Sequence, residues 1–292
     1  MSFPDLPPQP PPIHAAARLY GERALADTLE VQRTHPCVLD QAYGADYWQK
    51  LDIYLPREVR EAARLPVLCF LHGGAWRIGY KEWMGFMAPP LTSLPAIFVS
   101  ISYRLAPAVQ FPLPLHDTYE AIAWVYRNIA RYGGDPDRIQ IGGHSAGGHL
   151  AALAALDRQG FISRGIPADV VKACHALSTP VDLDPEGRPE AEAQALRAFL
   201  GGTSPAKASP LHCVGPEAPP FFVAYGSRDL PHILAQSPAM IDALRAAGGN
   251  PLLRVLDGCD HFDANARCAD PQFEWVRVVR RCLADASALS ET

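Results

Sequence analysis

The sequence has no CxxC pair, no HExxH, no P-loop and no GxGxxG after its first strand-like run. Each of those patterns holds a metal, a nucleotide or a redox disulfide through a fixed spacing of ligands or glycines, so neither a metal nor a cofactor is expected. No apolar run approaches the roughly 20 residues needed to span a bilayer. Basic charge is not in excess either. Lys and Arg number 26 against 31 Asp and Glu, a net charge of -5, which argues against nucleic acid or an anionic membrane surface as partner. The first residues lack the basic and apolar regions of a signal peptide. The seven cysteines (Cys37, Cys69, Cys174, Cys213, Cys259, Cys268 and Cys282) are odd in number and unpatterned. They fit reduced thiols in a cytoplasmic protein better than a disulfide framework.

What the chain does have is 48% apolar residues over 292 positions, ample for one large α/β core. It also has one stretch around which the rest is arranged, Ile139-Gln140-Ile141-Gly142-Gly143-His144-Ser145-Ala146-Gly147-Gly148. An apolar strand tightens through glycines around a serine and runs on into the alanine-rich helix 151–156. Gly143-x-Ser145-x-Gly147 is the nucleophile-elbow pattern, in which a sharp strand-to-helix turn lifts the serine hydroxyl clear of the sheet.

Taken in order, residues 1–15 are proline-rich and predict an extended arm acting as a surface tether, ahead of a single domain over 16–292. Residues 14–31 are weakly helical. Strands are expected at 51–55, 65–71, 95–103, 139–144, 170–177, 221–226 and 251–256. Helices are expected at 116–132, after the elbow, and at 189–200, 233–247 and 271–283. Asp135-Pro136-Asp137-Arg138 reads as a turn. Strands alternate with helices throughout, so the fold class is α/β, a mostly parallel sheet with helices on both faces.

His72-Gly73-Gly74-Ala75-Trp76, Ser102-Tyr103-Arg104-Leu105-Ala106-Pro107, Tyr132-Gly133-Gly134-Asp135-Pro136 and the elbow together resemble an α/β-hydrolase over roughly residues 45–285. Within that fold the chain is similar to the arylformamidase (kynurenine formamidase-like) and hormone-sensitive-lipase-like esterase groups. The HGGxW form points towards the formamidases, because lipase-like esterases more often carry a third glycine where this chain has Ala75.

The resemblance implies an acyl-enzyme mechanism and the chain order serine, acid, histidine. Asp229 follows a buried strand and His261 follows the last one, so Ser145, Asp229 and His261 are the expected nucleophile, orienter and general base. Asp182 and Asp184 are reserve acids, and Asp229 as a helix N-cap is the bland alternative. Oxyanion donors are expected from Ala146 and, by similarity, from Gly73, Gly74 and Ala75. Trp76 and Tyr103 are the expected substrate contacts, with Tyr80, Trp83 and Phe86 as further candidates. The arm and the Gly201–Pro220 loop are placed to roof the site. His144 and His149 are expected to pack beside the elbow.

The expected substrate is a small ester or aryl N-formyl amide, and a homodimer is consistent with the family. Two alternatives stay open at this point: a generic short-chain carboxylesterase, and a catalytically silent α/β-hydrolase acting as a small-molecule receptor.

Overall fold

Side chains alternate across a strand, so a strand with apolar residues at every position must be covered on both faces. That is the situation of β3 (Leu65–Leu71) and, but for Ser100, of β4 (Ile97–Ile101), all of whose residues are buried in the computed structural model. The model describes residue 3, residues 6–58 and residues 64–285. Met1, Ser2, Pro4 and Asp5 of the expected arm, and residues 286–292 of the expected domain, lie outside the described residues. In β3, Val67, Cys69 and Leu71 face one core while Leu68 and Phe70 face the other.

The remaining strands are β1 (Cys37–Ala42), β2 (Lys50–Tyr54), β5 (Gly134–His144), β6 (Val171–Leu177), β7 (Phe221–Gly226) and β8 (Leu252–Leu256). They form one sheet in the order β1-β2-β4-β3-β5-β6-β7-β8. Pairing is antiparallel at β1–β2 and β2–β4 and parallel from β4 onward. The helices are α1 (Ala15–Thr34), α2 (Ala88–Thr92), α3 (Leu113–Asn128), α4 (Ala146–Leu156), α5 (Gln159–Ile162), α6 (Glu190–Leu200), α7 (Pro205–Ala208), α8 (Pro231–Ala246), α9 (Asp263–Ala266) and α10 (Glu274–Ala284). Side chains of α3, α4, α6 and α8 fill the first core; those of α1, α2 and α10 fill the second. This is the α/β-hydrolase architecture, a mostly parallel sheet with helices on both faces.

Besides the short helices α2, α5, α7 and α9, two details of the sheet differ from the sequence reading. β1 has no counterpart in it, because Cys37-Val38-Leu39-Asp40-Gln41-Ala42 is a half-exposed edge strand with little apolar alternation. The Asp135–Arg138 turn is absorbed into β5 as an irregularity. Leu65 pairs with Gly134 but Val67 pairs with Ile139, so extra residues bulge out there. Arg64 clamps the bulge, donating from Nε to Asp135 Oδ2 at 3.0 Å and from Nη2 to Oδ1 at 2.6 Å.

The strand order reverses direction between β3 and β5. From β3 the chain goes to β4 on one side, while β5, β6, β7 and β8 continue on the other. A crevice opens outside the strand C-termini at such a switch point. Leu71 and Gly143 are in register there, which sets the His72–Trp76 loop beside Ser145. Among the described residues, no helix is long and apolar enough to cross a membrane.

Candidate active site

Ser145 occupies the turn between β5 and α4 at φ 54°, ψ -122°, a conformation costly for any residue with a side chain. Its surroundings hold it there. Ser145 N–H donates to Leu177 O on β6 at 2.9 Å, and its carbonyl accepts from His149 N–H at 3.0 Å as α4 begins. A Cβ on Gly147 would stand 2.2 Å from Leu71 O, so only glycine lets α4 start this close to β3. The N–H groups in a helix's first turn have no intrahelical acceptor, which leaves that of Ala146, directly after the serine, free to point at a ligand.

The three residues expected from chain order meet. Asp229 lies on the turn after β7, with its side chain shut away from solvent. Its carboxylate accepts from His261 Nδ1–H at 2.7 Å, Ser178 Oγ–H at 2.6 Å, Leu230 N–H at 2.8 Å and Gly226 N–H at 3.2 Å. Burial alone would raise its pKa, but the hydrogen bond and charge of His261, with the Ser178 and Leu230 donors, bring it down to about 2. An ionised carboxylate only accepts, so His261 donates from Nδ1 and leaves the Nε2 lone pair outward. Ser145 Oγ–H donates to that nitrogen at 2.9 Å.

Asp229 does not cap α8, since no side chain bonds to the free N–H groups of that helix and Leu230 holds the cap position. Among the described residues, the carboxylates of Asp182 and Asp184 accept only from the backbone N–H groups of Asp184 and Glu186, shaping their own turn.

The loop after β3 turns sharply in front of Ser145. Gly74 has φ 119°, and a Cβ on it would strike Ile78 O at 2.0 Å; Ala75 and Trp76 also have positive φ, 52° and 58°. Gly74 O accepts from the N–H groups of Arg77 and Ile78 at 3.0 and 3.1 Å. Behind the loop, His72 Nδ1–H donates to Gly73 O at 2.7 Å, while its ring stacks on Tyr103 at 4.4 Å. Tyr103 hydroxyl donates to His72 O at 2.8 Å. Tyr103, expected as a substrate contact, is fully buried and braces the loop from behind, without lining the cavity.

Trp76 does line the cavity. Its Nε1–H donates to His149 Nδ1 at 3.2 Å, and its ring stacks on Phe199 at 4.5 Å. His149 in turn donates from Nε2 to Ala208 O at 2.6 Å, and burial pushes its pKa down to about 4. Of the other aromatic candidates, Trp83 reaches the cavity, while Tyr80 and Phe86 pack behind it.

Other residues of the site carried little signal in the sequence. Ser178, at φ 48°, presents its hydroxyl to Asp229. Asp260 accepts from the N–H groups of Phe262 and Asp263, both at 2.8 Å, and so forms the loop that carries His261. His144 donates from Nε2 to His261 O at 2.9 Å; burial, with the charge of His261, lowers its pKa to about 3.

The cavity over these groups encloses about 860 Å³, its open mouth included. Pro11, Pro12 and Ile13 of the arm, Tyr20 of α1 and Leu196 of α6 roof it, whereas no residue of the Gly201–Pro220 loop does. The arm is docked as well as extended. Gln9 pairs with the backbone of Gly79 through both amide atoms (2.9 and 2.8 Å), and Tyr80 hydroxyl donates to Pro7 O at 2.6 Å. Among the described residues, no group of three His, Cys, Asp or Glu side chains is arranged to hold a metal ion.

The sequence matches the BD-FAE family over residues 51–244. The chain belongs to that family. Among its relatives, Esterase LipQ of Mycobacterium tuberculosis is 38% identical over 210 residues, 68% of this chain and 50% of the relative. Isoprenylcysteine alpha-carbonyl methylesterase ICME of Arabidopsis thaliana is 32% identical over 238 residues, 76% of this chain and 55% of the relative. The chain thus spans about half the length of these curated relatives. Among solved structures, a Pyrobaculum calidifontis esterase superposes with a TM-score of 0.74 at 23% identity, covering 94% of this chain and 96% of that one. This BD-FAE member therefore joins the family's sequence pattern to the α/β-hydrolase fold, with serine, histidine and aspartate hydrogen-bonded in series.

Proposed function

We propose that this BD-FAE family chain is a serine esterase that cleaves small carboxylic esters through an acyl-enzyme. The observation that carries the reading is the continuous hydrogen-bonded series from Ser145 Oγ through His261 to the ionised Asp229, opening on a cavity beside a strained, glycine-bearing loop.

In the proposed reaction Ser145 Oγ attacks the ester carbonyl carbon while its proton passes to His261 Nε2. The oxyanion that forms is held by N–H groups of Ala146 and of the Gly73–Ala75 segment. On collapse, the carbon–oxygen bond to the alcohol breaks and His261 returns the proton to the leaving oxygen. Water then attacks the acyl-serine by the same route in reverse order, releasing the acid and restoring the serine hydroxyl. Asp229 stabilises the imidazolium in both halves and stays ionised.

The named relatives are esterases, which favours esters over aryl N-formyl amides as the substrate class. Initial rates on p-nitrophenyl acetate and on a formyl-anilide separate the two, with faster ester turnover expected. The primary test is intact-mass measurement after exposure to a fluorophosphonate. One adduct on the wild type and none on Ser145→Ala is expected. An unmodified wild type would sink the esterase reading and leave a small-molecule receptor in its place.

A further inference from the structure

The cleft has a polar wall that acyl transfer does not use. Arg188 precedes α6 and Glu192 lies on its first turn. Both line the cavity, with His14 ahead of α1 and His232 on the first turn of α8. The Arg188 and Glu192 side chains are only 8% and 13% exposed.

Burying two charges is unfavourable unless each is well hydrogen-bonded, and here the bonding is incomplete. Arg188 donates from Nη2 to Asp182 O at 2.6 Å and from Nε to Asp184 O at 3.1 Å, but among the described residues Nη1 has only Glu192 Oε2, 3.8 Å away. Glu192 Oε2 is sealed from solvent and makes no hydrogen bond, although His232 Nδ1 stands 3.4 Å from it in poor alignment. Oε1 has His14 Nε2 at 3.7 Å, beyond hydrogen-bond length. A buried carboxylate left without a donor calls for a reason. Its place in a substrate cleft supplies one.

Charge narrows the choice of ligand. Burial lowers the pKa of His14, and burial with the charges of Arg188 and His261 lowers that of His232 to about 3, so both are neutral near pH 7. The guanidinium and the carboxylate then balance, favouring neither a cation nor an anion. The group that suits both is neutral and at once a donor and an acceptor. We propose that Arg188 and Glu192 form a polar subsite for a hydroxyl group carried by the alcohol portion of the substrate. The alcohol side follows from position. The wall stands on the base's side of the cavity: His14 sets its ring against Phe262, next to His261, at 6.4 Å between centroids, and His232 follows Asp229 on the first turn of α8. His261 is the residue that protonates the leaving oxygen in the esterase reading on which this proposal rests.

The test compares kcat/KM on glyceryl monobutyrate and on propyl butyrate, which differ in the alcohol hydroxyls alone, with butyrylcholine as a charged third ester. A hydrogen-bonding site discriminates strongly against substrates lacking the group it is built for. The wild type should favour the glyceryl ester over the propyl ester by about tenfold or more. That ratio should fall towards one in Glu192→Leu and be partly kept in the isosteric Glu192→Gln, which also serves if the leucine variant does not fold. A ratio near one in the wild type, or an unchanged ratio in both variants, overturns the subsite. Preference for butyrylcholine over both other esters overturns the choice of a neutral group. Fluorophosphonate labelling of Ser145 in the same preparations separates these results from failure of the esterase reading, which an unlabelled, inert wild type would show.

Discussion

Each member of the Ser145–His261–Asp229 series owes its state to the next, and the series does not stop at the carboxylate. Asp229 keeps its charge inside the fold because four donors surround it, one of them a serine that no motif announces. Loss of the charge should be far more damaging than loss of one donor. Asp229→Asn leaves the shape but lets His261 adopt the wrong tautomer, and in a comparable triad such a change lowers kcat by about 10⁴. A similar loss is expected here. Ser178→Ala removes one hydrogen bond to a charged group and leaves the backbone donors of Gly226 and Leu230 in place. Its expected effect is a fall in kcat of about tenfold with KM nearly unchanged, since such a bond contributes about 1.5–3 kcal/mol and is partly compensated. Steady-state kinetics on p-nitrophenyl acetate measures both. A rise in KM with kcat intact would mean that Ser178 acts on substrate binding and not on Asp229.

At the scale of elements, the proline-rich arm roofs the site, as the sequence reading allowed, and is docked more firmly than a surface tether. Proline restricts the unfolded chain, so pinning such a segment costs less entropy than pinning an ordinary one. Here the Gln9 amide copies a strand partner for Gly79, just beyond the strained loop that faces Ser145. Gln9→Ala removes two hydrogen bonds, each contributing about 0.5–1.5 kcal/mol. Hydrogen exchange at the Gly79 amide, which donates to Gln9 Oε1, should speed up, and KM should rise several-fold while kcat changes little, because the arm roofs the cavity without touching the reacting atoms. Unchanged exchange would show that the docking depends on Tyr80 and the prolines instead.

The same contrast explains what could be read in advance. The buried strands, the elbow and the order serine–aspartate–histidine are local patterns: apolar runs, a glycine-flanked serine and polar residues just after strands. β1, the arm's docking, Ser178 and the Arg188–Glu192 wall are not local. The arm and Ser178 acquire their roles from partners 70 and 51 residues away, β1 from its pairing with β2, and the wall from being set beside His14 and His232, and single-chain periodicity carries no trace of such pairings. Tyr103 illustrates the limit, since its place past a strand end fits a pocket residue and a loop brace equally well.

For the molecule as a whole, five imidazoles are shut largely away from water, on β6 and α8 as well as beside the sheet's switch point. Burial pushes the pKa of His72 and His149 down to about 4 and that of His175 down to about 3. Burial also brings His144 to about 3, with the charge of His261 adding to it, and His232 to about 3, with Arg188 and His261 adding. In the unfolded chain each of these would titrate near its ordinary value of 6.5. Between pH 6.5 and about 4 the unfolded chain therefore binds up to about five more protons than the folded one. Stability is full above pH 6.5 and falls as the pH drops, by up to about 1.4 kcal/mol per pH unit for each histidine. Asp52 opposes this by one proton. Burial, against the attraction of Lys81, raises its pKa to about 6, so its contribution grows as the pH falls through that value. The net expectation is a urea midpoint that is level from pH 8 to 7 and declines steeply from pH 6.5 to 5 at constant ionic strength. His175 is the cleanest probe, because it is fully buried on β6 with Nε2 on Gln140 Oε1 at 2.7 Å and, among the described residues, makes no hydrogen bond from Nδ1. His175→Asn should lower the midpoint at pH 7 and flatten the acid decline by about one proton. A wild-type midpoint that holds steady to pH 5 would mean that these histidines take up protons without unfolding the chain.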